Sequence, residues 1–373
     1  MKKILLLFLL FSTLTNAQVN LDSLWSVWND ETQKDTNRLK AIQKINEDGY
    51  LNTKPDSAFY FAQLELDFAK EKGQKKYMAN ALSIQGSSLF FLSDYDRAMN
   101  CLTQSLIIRE EIGIKSDIAS SLTKIGLIYS TKGDYDKGIF YYTKGLKIYD
   151  VINDDVGKAN VFSKIGSLYY TQGENEKALD YENKSLKIRE ETLDKMGIAN
   201  SLSAIGAIHF SQGDTIKGVE IMVKGLNICE EIQYKTGIAR LLNNLGYIYF
   251  LQGEYDKSTD YHKKSLKIRE EIGDKRGISF SFNNLAHNYH KKSDYKKAIN
   301  YCKASLTIAQ EIGISFMIRD ASELLWELNK DIGKSKESLE AFELYIATRD
   351  SMASEDNQKA MIKQEFKYTY ENN

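Results

Sequence analysis

The stretch Gly237–Arg276 decides the fold of this chain, and it reads GIARLLNNLGYIYFLQGEYDKSTDYHKKSLKIREEIGDKR. A shift of forty residues in either direction brings back the same pattern of glycines and apolar residues. One column of the repeat consists of Gly86, Gly126, Gly166, Gly206 and Gly246. Six successive repeats, over residues 77–316, keep this period without an insertion. Such strict self-similarity is typical of a repeat protein, in which each unit packs on its neighbours.

Each repeat predicts two helices, called the first helix and the second helix below. On the first helix the apolar residues recur at steps of three and four, as in Ile238, Leu242, Leu245 and Tyr249. Gly253 then interrupts the pattern, and the acidic residue that follows it suits a helix N-terminus. The second helix has a single stripe of its own, as in Ser258, Tyr261, Ser265 and Ile268.

Small residues face each other across the predicted helix pair. The glycine column lies in the first helix, and Ala98, Gly138, Ala178, Gly218, Ser258 and Ala298 form the matching column of the second. A glycine inside a helix costs roughly 0.5–1 kcal/mol relative to alanine, so its recurrence needs a packing reason. We expect the two helix backbones to approach closely at these columns.

The ends of the second helices carry a further signal. Gly73, Gly113, Gly273 and Gly313 can adopt the left-handed conformation that closes a helix, and Asn153 suits it equally well. Leu193 and Gln233 occupy the same place in two other repeats. Because a side chain disfavours that conformation, we expect these two junctions to close differently.

This pattern, with Leu242, Leu245-Gly246, Tyr249 and Gly253-Glu254-Tyr255, resembles the tetratricopeptide repeat family over residues 37–350. The forty-residue period is similar to its longer-helix branch, which includes kinesin light chains and bacterial peptide-responsive regulators. The resemblance implies an all-α fold, a right-handed α-solenoid of about eight stacked antiparallel helix pairs. The proline that the family carries after the second helix is missing, since the only proline is Pro55.

The N-terminus is interpreted as a targeting signal. Lys2 and Lys3 precede an apolar run over residues 4–11, and small residues end at Ala17. This order is typical of a signal peptide over residues 1–17, with cleavage after Ala17, although an ordinary hydrophobic helix is an alternative. The mature chain is therefore expected to be exported, periplasmic or extracellular, without stable membrane insertion.

The two ends of the solenoid have their own predictions. Residues 18–36 place Trp25 and Trp28 on one helical face, which favours a capping helix over a ligand-stacking role. Residues 351–373 form a polar tail, predicted as one helix. The recurring Arg-Glu-Glu runs at Arg109, Arg189 and Arg269 are interpreted as solvated faces of the second helices.

Composition and motifs exclude several function classes. A formal net charge of -1 gives no electrostatic basis for binding nucleic acid or an anionic membrane. No nucleotide-binding loop, nucleophile elbow or zinc-protease motif occurs, so we predict no enzyme activity and no cofactor. His287 and His290 share a helix face, but a metal would need a third ligand such as His262. We favour groove lining for the pair and predict no metal.

In the resembled family, the concave face of the first helices binds extended peptides, with asparagines holding the peptide backbone. We call the corresponding surface the groove face. It consists of Asn80, Asn160, Asn200, Arg240, Asn243, Asn283, Tyr170, Phe210, Tyr247, Phe250, His287 and His290. Exposed aromatic rings beside amides can bury apolar side chains while pairing with a peptide backbone. An alternative is that Phe210 and Phe250 only fill space between neighbouring first helices.

Two hypotheses of function follow. The first is an exported, non-catalytic scaffold that binds a peptide or partner protein in its groove. The alternative is the sensory region of a bacterial signalling receptor, such as a histidine kinase, cyclase or DNA-binding regulator, whose membrane helix and output domain are missing from this chain. The latter rests on the tail, FELYIATRDSMASEDNQKAMIKQEFKYTYE, which resembles the connector of such receptors.

Overall fold

A computed structural model of the chain describes residues 21–51 and 54–351, and the regular elements among them are all helices. The chain divides into two compact units, with the boundary between Ile188 and Arg189. The predicted signal peptide and nearly all of the predicted C-terminal helix lie outside the described residues. In the part of the chain described, no helix is long and apolar enough to cross a membrane.

Unit 1 ends at Ile188 and is built from helix pairs that follow one another along the chain. Its elements are α1 (Leu21–Asn29), α2 (Asp35–Lys44) with a π-helical turn at Ile45–Tyr50, α3 (Pro55–Glu71), α4 (Lys75–Phe91), α5 (Tyr95–Ile112), α6 (Lys115–Thr131), α7 (Tyr135–Val151), α8 (Asp155–Thr171) and α9 (Asn175–Glu191). The last three residues of α9 belong to the second unit.

Unit 2 begins at Arg189 and has the same construction. Its helices are α10 (Lys195–Ser211), α11 (Thr215–Glu231), α12 (Lys235–Leu251), α13 (Tyr255–Ile272), α14 (Lys275–Lys291), α15 (Tyr295–Glu311), α16 (Ser315–Asp331) and α17, which is described over residues 335–351. In the clear repeats of each unit the even-numbered helices are first helices and the odd-numbered ones are second helices. The predicted α-solenoid of stacked helix pairs is confirmed.

The small-residue columns hold the two helices of a pair together, as the sequence predicts. A Cβ atom placed on Gly206 would lie 2.8 Å from the carbonyl oxygen of Gly218 and 2.7 Å from Cγ of Met222. Contacts that short cannot be accommodated without moving the backbone of α11. The backbones of α10 and α11 can therefore meet at this distance only because both positions lack a side chain.

The junctions after the second helices all use the left-handed conformation. Gly273 has φ +69°, while Leu193 and Gln233 have φ 56° and 54°. The prediction that these two junctions close differently is wrong. The same turn hydrogen bonds form without a glycine, since the Asp194 and Tyr234 amides donate to carbonyls five residues back at 2.9 and 2.8 Å. Leu193 and Gln233 thus occupy a strained region that glycine occupies freely.

The arginines of the Arg-Glu-Glu runs are not solvated, which corrects the sequence interpretation. Arg109, Arg189 and Arg269 are 7%, 6% and 8% exposed. In unit 2, Arg189 Nη1 donates to the Gly197 carbonyl at 3.0 Å and to the Ser201 hydroxyl at 2.7 Å. Each arginine therefore fastens its second helix to the first helix that follows.

This arginine contact recurs every eighty residues and not every forty. The intervening second helices carry Tyr149, Cys229 and Ala309 in the same place. The partner column alternates in step, with serine at residues 121, 201 and 281 and an apolar residue at 161, 241 and 321. The residues at these joints thus alternate with a period of eighty residues within the forty-residue repeat.

The N-terminal part of unit 1 buries a carboxyl group. Glu65 of α3 and Asn46 of the π-helical turn are both 0% exposed, and Asn46 Nδ2 donates to Glu65 Oε2 at 3.2 Å. Glu65 Oε1 and Asn46 Oδ1 have no partner among the described residues. Burial raises the pKa of the Glu65 carboxyl well above its usual value.

Aromatic contacts tie the peripheral helices to the repeats. Trp25 and Trp28 of α1 lie edge-on to Phe61 and Phe68 of α3, with ring centroids 4.8 and 5.3 Å apart. Within unit 2, Trp326 of α16 packs on Phe342 of α17 at 4.8 Å. The three tryptophans of the chain thus report on separate places, two in unit 1 and one in unit 2.

Candidate functional site

The groove face of unit 2 is crossed by amide hydrogen bonds between neighbouring first helices. Asn244 Nδ2 on α12 donates to the Ser203 hydroxyl on α10 at 3.3 Å. Asn284 Nδ2 on α14 donates to Asn243 Oδ1 on α12 at 2.9 Å. Both bonds join residues 41 apart, so the same bridge recurs along the unit. We call such a contact the first-helix bridge.

The predicted amide residues of unit 2 come together only in part. The Arg240 guanidinium donates to Asn200 Oδ1, which joins two predicted residues. Asn243 is held in the bridge from Asn284. Asn283 Oδ1 is buried and has no hydrogen-bond partner in the described part of the chain. An unpaired buried carbonyl oxygen is costly unless a ligand or water donates to it.

Of the aromatic residues predicted for the groove face in unit 2, Tyr247 is the one that is exposed to solvent, at 51%. Phe250 is partly buried, its ring 5.6 Å from that of Tyr255 and 6.4 Å from that of His287. Phe210 packs against the core of unit 2. The space-filling alternative therefore describes Phe210 and Phe250 well, and Tyr247 is the ring available for contact.

The histidines have different surroundings. His290 Nε2 lies 2.8 Å from Asp331 Oδ2. Burial, together with His290 and Lys291 nearby, lowers the pKa of His287. His262 is 1% exposed and its ring lies against Gly246, and burial lowers its pKa to about 4. His262 therefore belongs to the joint between α12 and α13. Among the described residues no three metal-ligating side chains cluster.

In unit 1 the predicted residues take three different places. Asn80 is 9% exposed, and its Oδ1 accepts a hydrogen bond from Arg109 Nη2 at 3.1 Å. Asn160 is exposed on α8, and Tyr170 lies near the end of that helix with 39% exposure. Asn80 is therefore part of a charged cluster, whereas Tyr170 offers an open ring.

The charged cluster surrounds a cavity of about 430 Å³ in unit 1. The π-helical turn and helices α2, α4, α5 and α6 supply its walls. The polar and charged side chains of its lining include Glu47, Lys76, Asn80, Ser83, Arg109 and Lys124. A volume in this range is typical of small-ligand sites, and its lining is mainly polar and charged.

Lys124 is the residue of this cavity that sequence reasoning missed. Its Nζ donates to the Ser83 hydroxyl at 2.7 Å, 41 residues away, so it forms the first-helix bridge of α4 and α6. Burial and the nearby Arg109 lower the pKa of Lys124 to about 8, while Glu47 acts in the opposite direction. The signal was present in the sequence. Position 124 is a lysine inside an apolar stripe, in the column that holds Asn244 and Asn284.

Family comparison agrees with this architecture. The profile of the tetratricopeptide repeat matches residues 117–191, 197–271 and 237–311, about half of the 373 residues. The chain belongs to the tetratricopeptide repeat family. No curated protein matches its sequence.

Several solved structures of tetratricopeptide-type proteins share the fold at low sequence identity. A Rap protein complexed with competence and sporulation factor is 16% identical with a TM-score of 0.57, over 90% of this chain and 97% of that one. The apo form of the quorum sensor NprR from B. thuringiensis is 16% identical with a TM-score of 0.58, over 77% and 80%. The apo form of RapI is 18% identical with a TM-score of 0.55, over 74% and 99%.

Proposed function

We propose that this tetratricopeptide repeat protein is an exported, non-catalytic scaffold that binds a peptide or partner protein on the groove face of unit 2. The observation that carries the proposal is that this face combines an exposed aromatic ring with an amide oxygen that lacks a hydrogen-bond partner among the described residues. Tyr247 is half exposed. Asn243, four residues earlier on the same helix, is fixed by the first-helix bridge. Asn283 Oδ1 offers a buried acceptor that nothing in the described chain satisfies.

These groups suit an extended peptide. A backbone N–H of the peptide can donate to an asparagine oxygen, and an apolar peptide side chain can cover the Tyr247 ring. The bridge holds Asn243 in one orientation before binding, which reduces the entropy lost on association. The Rap and NprR structures support the proposal, since one is described with a bound factor and the other as a quorum sensor.

A display library of random peptides, selected on the purified chain, tests the proposal. Selected peptides should lose at least about tenfold in affinity on Asn243→Ala with Asn283→Ala, because two polar contacts are removed. The matched control is Asn227→Ala with Asn300→Ala, the same change at exposed positions of the second helices α11 and α15. Equal affinity of both double variants for every selected peptide would reject the groove face as the site.

Export is a separate part of the proposal and rests on the order of charged, apolar and small residues in 1–17. Intact mass spectrometry of the protein from the envelope fraction should give a chain that begins at Gln18. A chain that retains residues 1–17 and fractionates with the cytoplasm would reject export.

A second candidate is the sensory region of a signalling receptor. The fold similarity to the quorum sensor NprR favours it, and so does the sequence of the tail. Reading the coding sequence beyond the Asn373 codon tests it. An in-frame hydrophobic helix followed by kinase, cyclase or DNA-binding motifs would support the receptor, and a stop codon with no such gene adjacent would argue for the scaffold.

A further inference from the structure

Two cationic groups, Arg109 and Lys124, line the cavity of unit 1 and donate their hydrogen bonds to uncharged acceptors. Arg109 donates to the Asp117 carbonyl at 3.1 Å, to the Ser121 hydroxyl at 2.8 Å and to Asn80 Oδ1 at 3.1 Å. Lys124 donates to Ser83. All four acceptors are uncharged. Neither Arg109 nor Lys124 takes part in any ion pair within 4.0 Å among the described residues.

The two cations are held close by one helix. Their acceptors Asn80 and Ser83 are three residues apart on α4, which places them on the same face of the helix. The Arg109 Nε atom is buried and also lacks a partner in the described chain. The positive charge of Arg109 lowers the pKa of Lys124, because like charges repel each other. A single anion between them would remove that cost.

The two acidic residues of the cavity, Glu47 and Asp117, favour the charged form of Arg109 electrostatically, but among the described residues neither forms an ion pair with it. Glu47 is exposed on the π-helical turn, and its Oε1 accepts a hydrogen bond from the Gln43 amide at 3.0 Å. Asp117 contributes its carbonyl to Arg109, while its carboxylate lies in the first turn of α6. Lys76 adds a third cation to the lining, so the cavity wall carries a net positive charge.

We propose that this cavity binds an oxyanion, a carboxylate or phosphate group, between the Lys124 ammonium and the Arg109 guanidinium. The cavity of about 430 Å³ exceeds the size of the charged group alone, so the group belongs to a small molecule or to the end of a larger ligand. The use of the site by a groove-bound ligand rests on the proposed function. Binding of the anion itself does not.

A nuclear magnetic resonance titration of the full chain, with the lysine side chains isotopically labelled, tests the proposal at pH 7. The probes are sodium phosphate and sodium succinate, each added against sodium chloride at matched ionic strength. We expect the Lys124 resonances to shift with a dissociation constant on the order of 1 mM, as suits a small ion with few contacts. The apparent pKa of Lys124 should rise from about 8 towards its ordinary value.

The two anions identify the chemistry. Saturation by phosphate alone assigns a phosphate site, and saturation by succinate alone assigns a carboxylate site. Saturation by both assigns a general oxyanion site. No response beyond that of sodium chloride overturns the proposal, and it leaves the peptide test on Asn243 and Asn283 unaffected, so the two failures are distinguishable.

Three variants locate the site, each followed by ligand-detected titration of the same anions. Lys124→Met should weaken binding at least about tenfold, because a charged hydrogen bond is lost. Glu47→Gln should strengthen binding a few-fold, because a competing negative charge is removed from the rim. Lys147→Met, the same change at an exposed position of α7, should have no effect. Unchanged binding in Lys124→Met, or weaker binding in Glu47→Gln, would overturn the assignment.

Discussion

The two units of this protein use different side chains for the hydrogen bond between neighbouring first helices. In unit 1 the first-helix bridge is a lysine, with Lys124 Nζ 2.7 Å from the Ser83 hydroxyl. In unit 2 it is an amide, at 3.3 Å for Asn244 and 2.9 Å for Asn284. The residues joined are 41 apart in all three cases. The repeat therefore fixes where a polar group lies, and the individual residue decides what that group can bind.

The difference extends to the surroundings of each bridge. Lys124 donates to the Ser83 hydroxyl and lines a cavity together with Lys76 and Arg109, an arrangement that favours an anion. The amide bridges of unit 2 share their helix face with the open ring of Tyr247, which favours a peptide backbone with apolar side chains. The two units thus offer surfaces of different chemistry, for which we propose different ligands.

The largest contrast that we expect is in the pH dependence of stability. Unit 2 buries His262, whose pKa in the folded state is about 4, below the ordinary 6.5. The free energy of unfolding of unit 2 should therefore fall by up to roughly 3 kcal/mol as the pH falls from 6.5 through 4. Unit 1 buries Glu65 with a raised pKa, so it should lose stability as pH rises from 4.5 through that value. Urea unfolding across pH 4–8 measures both.

The tryptophans separate the two signals. Trp326→Phe leaves fluorescence from Trp25 and Trp28 in unit 1, while Trp25→Phe with Trp28→Phe leaves Trp326 in unit 2. Adding Glu65→Gln should flatten the pH dependence seen by the first reporter and leave the second unchanged. Parallel pH profiles for the two reporters would contradict this contrast.

A smaller effect is expected from equivalent glycines of the two units. Gly206→Ala in unit 2 should destabilise α10 and α11 by about 2 kcal/mol, since its Cβ would lie 2.8 Å from a backbone oxygen. Gly166→Ala in unit 1 should stay within about 1 kcal/mol, because its nearest contact is 3.1 Å and alanine favours the helix. Hydrogen exchange of the two helix pairs measures the difference. Equal losses of stability in the two variants would show that the distance between the helix backbones does not determine the destabilisation.

The smallest effect concerns the bridge itself. Lys124→Asn places the amide of unit 2 in the position of unit 1 and should raise stability at pH 7 by about 1 kcal/mol, because a desolvated charge is removed. The gain should vanish as pH rises from about 8 through 10.5, where the lysine of the wild type loses its charge in both states. Urea midpoints of the two proteins at pH 7 and 10.5 test the sign. A loss of stability at pH 7 would mean that the charge of Lys124 stabilises the fold.

The sequence predicted the fold because each repeat restates the same constraints. The glycine column and the apolar stripes required two closely packed helices, and Gly206 against Gly218 confirms the reason. Residues that depend on a particular neighbour were harder to place. Arg109 looked like part of a surface charge run, but its guanidinium reaches the following helix and is buried. The sequence shows that arginine recurs at every second repeat, but only the structure shows which residues its guanidinium contacts.

The candidate site was predicted less completely, for a related reason. The helix register alone predicted Asn243 and Tyr247 as groove residues, and the structure holds Asn243 in a first-helix bridge and leaves Tyr247 half exposed. The helix register could not show that Asn80 accepts a hydrogen bond from an arginine of another helix. It also could not show that Lys124 lines a cavity. The prediction for the junctions at Leu193 and Gln233 was wrong for the opposite reason. The local preference of these residues disfavours the left-handed turn that the packing of the helices imposes.

The central claim is that a ligand contacts the groove face of unit 2, and site-specific photo-crosslinking tests it most directly. A photoreactive phenylalanine would replace Tyr247 in one protein and Phe140 in another, two aromatic residues of almost equal exposure, 51% and 52%. Phe140 lies on the second helix α7 of unit 1, away from the groove face. With a display-selected peptide we predict crosslinking at position 247 and none above background at position 140. Crosslinking at 140 with none at 247 would contradict the account.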